Sequence, residues 1–285
     1  MIMFKRFFVT VGCLTCLLTS TSACAQRTLV FAVNEGVTYR TGADVTRQNY
    51  KAIADDLGKL LRAKVQLEVI GEYAMLEKDL AAKRYDLAFI HPTHIALAPV
   101  KKGDYTLVAT SQAHTAYKAS FLTKIIVQPG TPAELGRLLA ANTKMIGSPD
   151  TNSITAWLIR ATLRDAAFAA KNPVPQLKFT RYQDSIPFMI EGGFVDVAAT
   201  ASEPIVKQWL ATGGKVLATS RAVPIKNVIV NAALGKDATD AVGEYFISLS
   251  SSVEGQAKLE RIGLKQGFVA YDKATYIGIA TWLGL

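Results

Sequence analysis

The sequence predicts an α/β protein whose sheets are mostly parallel and flanked by helices. Two observations predict it. Short apolar runs alternate with stretches of helical periodicity from residue 28 to the C-terminus, the pattern of strand–helix–strand units. No internal repeat, low-complexity tract or Pro-rich linker interrupts that alternation. A chain that crosses more than once between two lobes shows no such linker, and the 260 residues after position 25 suffice for one large domain or two small ones.

The elements follow in order. Residues 28–33 form an apolar strand-like run. Residues 44–62 carry Ile53, Leu57, Leu60 and Leu61 on one helical face. A strand at 65–70 precedes a helix at 74–83, then a short buried strand at 86–90 and a helix at 93–100. Residues 105–111 and 117–127 read as extended, and Thr131 caps a helix running to residue 140. The strand 144–146 ends in the turn signal Gly147-Ser148-Pro149-Asp150. A long helix, about 152–170, follows. Strands at 177–181 and 195–199 flank a helix near 185–191, and another helix begins at Glu203. Strands at 215–218 and 227–231 lead into a largely helical C-terminus from about residue 238.

The first 25 residues have a different character. Lys5 and Arg6 precede an apolar stretch at 9–18 and a small-residue segment at 19–25. This order is that of a secretory leader, and its apolar core of about ten residues falls short of the roughly 20 that span a bilayer. Ala23-Cys24-Ala25 has the shape of a cleavage site, with Gln26 as the new start. An uncleaved anchor, or a lipid on Cys24, is the alternative. Cys13, Cys16 and Cys24 all lie in this segment, so the exported chain has no thiol, no disulfide and no thiolate metal site. Without Lys5 and Arg6 the count is 30 basic against 23 acidic residues, a net charge of about +7. The basic residues are scattered. Together with export, this argues against nucleic acid and leaves an anionic solute or plain surface charge.

In open α/β sheets ligands sit where strands end and helices begin. The sharpest such turn is Ile146-Gly147-Ser148-Pro149-Asp150-Thr151-Asn152-Ser153. Free backbone N–H groups and the dipole at a helix start favour an anion. Thr151, Asn152 and Ser153 add donors, and the same residue types serve ordinary capping. His91 and His94 follow the strand at 86–90. Pro92 between them and the lack of a nearby Glu or Cys argue against a metal; His91 and Thr93 are candidates to donate to a solute. Tyr39, Arg40 and Thr41 follow the first strand, where Arg40 suits a bidentate oxyanion contact.

Several ordered pieces resemble the phosphate, phosphite and phosphonate-binding proteins of ABC importers, which are type II periplasmic binding proteins. They are Glu72-Tyr73-Ala74, Asp86-Leu87-Ala88-Phe89, Ala116-Tyr117, Ser148-Pro149-Asp150-Thr151-Asn152-Ser153, and Val195-Asp196-Val197-Ala198 followed by Glu203. The resemblance runs from about residue 28 to at least 234. It implies two lobes, 27–112 plus 222–285 and 113–221, closing over a ligand in the cleft between them. It implies oxyanion contacts from Thr151, Asn152 and Ser153, with an amide replacing one family hydroxyl, and from Tyr73 and Tyr117. Gln183 falls on a family histidine donor. Glu203 falls on a glutamate that holds a ligand ammonium. Lys226 stands where the family has a second carboxylate, which weighs against an aminophosphonate; Lys226 then favours more negative charge or pairs with Glu203.

The resemblance implies a periplasmic, monomeric binding protein with no cofactor, serving a membrane permease. A sensory protein of the same fold, docking on a membrane histidine kinase, is the second reading. An exported hydrolase is the third, and no nucleophile elbow, zinc-protease motif or triad supports it.

Overall fold

The computed structural model describes residues 27–36, 42–125, 136, 145–171 and 173–285. The leader, Tyr39, Arg40, Thr41 and most of the expected helix at 131–140 lie outside them. The first strands and helices follow the expected order: β1 (Thr28–Asn34), α1 (Ala43–Leu60), β2 (Lys64–Val69), α2 (Tyr73–Ala81), β3 (Leu87–Ile90), α3 (Thr93–Lys101) and β4 (Tyr105–Ser111). Next come β5 (Ser120–Thr123), β6 (Met145–Ser148), α4 (Ile154–Ala170), β7 (Gln176–Phe179), α5 (Ile186–Glu191), β8 (Val197–Thr200), α6 (Glu203–Ala211) and β9 (Lys215–Thr219). The chain closes with β10 (Asn227–Asn231), α7 (Lys236–Ser248), α8 (Val253–Arg261), β11 (Phe268–Val269) and α9 (Lys273–Leu283).

Two sheets result, in the orders β11-β4-β10-β3-β1-β2 and β7-β6-β8-β5-β9. Most strands of each run the same way, as expected, and both sheets are mixed because a reversed strand is inserted in each. In the first sheet β1 pairs parallel with β2 and β3, while β10 is antiparallel to both β3 and β4, and β11 to β4. In the second, β6 pairs parallel with β7 and β8, and β5 is antiparallel to β8 and β9. The reason lies in the crossings. β5 arrives from the first sheet and β10 from the second, so each enters from the opposite end and inserts reversed between strands that run the other way. No crossover helix precedes either, and a parallel neighbour needs one.

Side-chain alternation makes two cores around the first sheet. Phe31, Val33, Leu87 and Phe89 pack on one face with Tyr50, Ile53 and Leu57 of α1 and Phe246 of α7. Ala32, Ala88 and Ile90 face the other way, onto Leu76 and Leu80 of α2 and Ile95 and Leu97 of α3. The buried positions of α1 recur three and four residues apart, so it covers the sheet with a single stripe. β3 is buried throughout, as a central strand covered on both faces must be.

The crossing segments 112–119 and 220–226 run side by side. Tyr117 N–H donates to Val223 O at 2.9 Å, Val223 N–H to Tyr117 O at 2.8 Å, and Ile225 N–H to His114 O at 2.9 Å. α9 makes a third connection. Its Tyr276 and Ala280 join the core of the first sheet and its Leu283 that of the second. Trp282 Nε1 donates to Asp165 Oδ2 at 2.9 Å, and Arg164 Nη2 to Trp282 O at 2.8 Å.

Candidate functional site

The loop between β6 and α4 is built by its own side chains. Asp150 Oδ1 accepts from Asn152 N–H at 2.8 Å, and the Asp150 carbonyl accepts from Ser153 N–H at 3.0 Å and from the Ser153 hydroxyl at 2.7 Å. Ser153 Oγ in turn accepts from Ala156 N–H at 3.2 Å, which is the work of a helix cap. Thr151 is exposed, and its carbonyl and hydroxyl accept from Arg160 Nη1 and Nη2, each at 3.0 Å. The Ser153 hydroxyl is thus occupied in starting α4 and the Thr151 hydroxyl accepts from Arg160, whereas Asn152 lines the cleft described below.

One turn further, Thr155 is fully buried and opens a polar cluster. Its Oγ1 is hydrogen-bonded to Tyr117 OH at 3.1 Å. Gln183 Nε2 donates to Tyr117 OH at 3.4 Å, and Gln183 Oε1 accepts from Thr200 Oγ1 and Ala201 N–H, both at 2.7 Å. Strand ends place these groups: Thr200 closes β8, Gln183 follows β7, and Tyr117 lies on the crossing before β5.

The first sheet presents His91 to the same cluster, edge-on to the Tyr117 ring with centroids 6.4 Å apart. Burial, reinforced by the nearby charge of Lys226, lowers the His91 pKa to about 3. The ring is therefore neutral, with one nitrogen donating and one accepting. Thr93, which opens α3, donates its hydroxyl to Pro224 O and accepts from Asn227 Nδ2. Lys226 holds a left-handed backbone, φ 62°, and its N–H donates to His91 O at 3.1 Å. Burial lowers the Lys226 pKa, and the carboxylate whose charge opposes that is Glu35, not Glu203.

A stack of rings joins the two lobes beside this cluster. His94 of α3 lies nearly flat on Trp157 of α4, 5.1 Å between centroids and 21° between planes, and edge-on to Tyr73 at 6.4 Å. Burial lowers the His94 pKa to about 3, partly offset by hydrogen bonding to the Asn152 backbone. Next to the stack opens a cleft of about 370 Å³, lined by Glu35, Glu72 and Tyr73 on one side and Asp150, Asn152 and Arg181 on the other.

The model of the family described as "ABC transporter, phosphonate, periplasmic substrate-binding protein" matches residues 36–276. The chain belongs to this family. Members of the phosphonate-binding family serve an ABC transporter as its periplasmic, solute-binding component. Among solved structures, PhnD1 from Prochlorococcus marinus in complex with methylphosphonate is similar at 13% identity and a TM-score of 0.62, covering 90% of this chain and 97% of that one. An ATP-bound protein from Xanthomonas citri reaches a TM-score of 0.68 at 11% identity, covering 91% and 98%. A binding component of an ABC phosphonate transporter from Pseudomonas aeruginosa gives 0.56 at 15% identity, covering 90% and 85%. At these identities the likeness is one of fold, and the fold is that of two-lobed binding proteins. Comparison with curated proteins found no match.

Of the residues singled out in this phosphonate-binding family member, the structure brings Tyr117, Gln183 and His91 into one cluster, with Thr93 and Lys226 behind His91. Tyr73 and Asn152 meet at the cleft. Glu203 stands apart: it is exposed at the first turn of α6 and outside the cleft lining. Sequence reasoning passed over Thr155, Trp157, Glu35 and Arg181. Glu35 and Arg181 directly follow or lie just beyond the ends of β1 and β7, so the strand-end rule that selected Ser148–Ser153 would have found both. Thr155 sits in the first turn of α4, where any hydroxyl belongs to the anion-facing end. No local pattern marks Trp157, whose partner is on the other lobe.

Proposed function

We propose that this protein captures a small phosphorus oxyanion, a phosphonate, phosphite or phosphate, between its two lobes and presents it to the membrane permease as a monomer. The leader at 1–25 carries it to the periplasm with cleavage before Gln26. The lobes are 27–112 plus 222–285 and 113–221. The supporting observation is the convergence of Tyr117 OH, Thr155 Oγ1 and the Gln183 amide at the first turn of α4, opposite the neutral ring of His91. These are uncharged donors at the positive end of a helix dipole. Such a set holds an anion without fixing a counter-charge, and a dry site strengthens each contact. Tyr73, Thr93, Asn152 and Lys226 complete the surround. Thr151 and Ser153 contribute by shaping the loop, and Glu203 is assigned no ligand contact.

A thermal-shift screen of the mature chain with phosphate, phosphite, sulfate, methylphosphonate, ethylphosphonate, 2-aminoethylphosphonate and arsenite tests the reading. A ligand at 100 times its Kd stabilises the folded state by about 2.7 kcal/mol. The expected result is a clear upward shift with at least one phosphorus oxyanion, no turnover of that compound, and a smaller shift at the same ligand concentration in the Tyr117→Phe, Thr155→Val double variant. No shift with any of them refutes the assignment.

A further inference from the structure

Among the described residues, the lining of the cleft carries an apparent contradiction for an anion site: three carboxylates, Glu35, Glu72 and Asp150, against the one guanidinium of Arg181. Two of the acids are accounted for. Asp150 accepts from the Asn152 N–H, and Glu72 is an exposed residue preceding α2. Glu35 differs. It is half-buried, just past the end of β1, and the fully buried Tyr50 donates to its Oε1 at 2.7 Å. That bond, from a rigid ring in the core, fixes the carboxylate at the cleft wall. Burial, and after it the charge and hydrogen bond of Glu35, push the Tyr50 hydroxyl pKa well up. Among the described residues, the groups that act on or face Glu35 are Tyr50 from α1, Lys226 before β10, Glu72 and Tyr73 at the start of α2, and Asp150 and Arg181 from the other lobe.

A carboxylate accepts hydrogen bonds and cannot donate them. A bare oxyanion oxygen placed against it is repelled, while an oxygen that still carries its proton is bound. We propose that Glu35 is a specificity residue that reads a proton on the solute: its carboxylate accepts a hydrogen bond from a P–OH group, so the protein takes monoprotonated phosphorus oxyanions and refuses sulfur oxyanions of the same shape and charge. Sites built to bond a hydroxyl discriminate strongly against an isostere that lacks it, because the site's polar group is left unpaired. The inference rests on the phosphorus-oxyanion reading above and sharpens it.

Methylphosphonate and methanesulfonate test it. In mildly acidic buffer both are monoanions of nearly the same size, and only the phosphonate keeps an O–H. Calorimetric titration of the mature protein is expected to show a preference for methylphosphonate of about 100-fold or more. In Glu35→Gln the amide can donate to a sulfonate oxygen, and the preference is expected to narrow at least about tenfold. Tyr50→Phe, which frees the carboxylate to turn, gives an intermediate value. Thermal unfolding of each variant shows that it is folded. Equal binding of the two ligands by the parent protein overturns the inference and leaves the phosphorus-oxyanion reading standing. An undiminished preference in folded Glu35→Gln does the same. If the parent binds neither ligand, the inference falls, and the thermal-shift screen with phosphate and phosphite decides the phosphorus-oxyanion reading.

Discussion

His91 and His94 are held neutral by burial, each with a pKa near 3 against an ordinary value of 6.5. Between those values the unfolded chain takes up protons that the folded one refuses. Stability is therefore full above pH 6.5 and falls as the pH drops toward 3, by at most about 1.4 kcal/mol per pH unit for each ring. Urea titrations across this window are expected to show that slope, and His94→Phe, which keeps an aromatic ring against Trp157, to reduce it. An unchanged slope means that other groups set the acid sensitivity. Tyr117 and Thr155 define the second prediction at this scale. Removing either hydroxyl costs about 1 kcal/mol of ligand binding, roughly a fivefold rise in Kd by calorimetry. The double variant loses less than the sum, because the two bond each other. Tyr73 and Tyr117 stood out in the sequence because short flanking patterns place them. Trp157 carries no pattern; its importance comes from His94, which faces it from the other lobe.

At the scale of the element, β6 and α4 decide how well the loop between them is held. Gly147 lies in β6 where a Cβ would come 2.6 Å from Ala198 Cβ, with Met189 Sδ and Val195 Cγ2 just beyond 3 Å. Gly147→Ala forces β6 and β8 apart and is expected to cost about 1–3 kcal/mol in denaturant unfolding. Ser153→Ala removes the cap and is expected to cost about 1 kcal/mol of stability while changing ligand affinity less than Thr155→Val does. The reverse ranking would return the oxyanion contact to Ser153. Elements were the most legible level. Amphipathic periodicity located α1, and continuous apolar runs located β3 and β10, because burial against a sheet imposes those patterns directly. α4 begins at Ile154 rather than 152, since Asp150 and Ser153 use the intervening residues as a turn and cap. α9 has a broad apolar surface, with Tyr276, Ile279, Ala280, Trp282 and Leu283 spread over it, and exposes Thr275, Gly278 and Thr281 on the remaining side. Such a helix is covered on more than one side. Its side chains join the cores of both sheets.

For the whole molecule, strand–helix alternation revealed the α/β class and the absence of a linker agreed with repeated crossings. Strand direction in the mixed sheets was not legible. β5 and β10 look like any buried strand, and only their arrival from the opposite lobe reverses them. The ring stack of His94 on Trp157 spans the lobes, so it reports on their separation. The other two tryptophans do not: Trp209 donates to Lys215 O within the second lobe, and Trp282 to Asp165 on the rear connection. A fluorescence change on adding ligand is therefore expected to vanish in Trp157→Phe and to persist in Trp209→Phe. Persistence of the full signal in Trp157→Phe means that the stack does not move with closure. The central claim is that an oxyanion sits at the front of α4 between the lobes, and a crystal structure of the protein loaded with methylphosphonate tests it most directly. The account predicts the phosphonate oxygens within hydrogen-bonding distance of Tyr117, Thr155 and the first backbone amides of α4; a guest bound away from that helix end contradicts it.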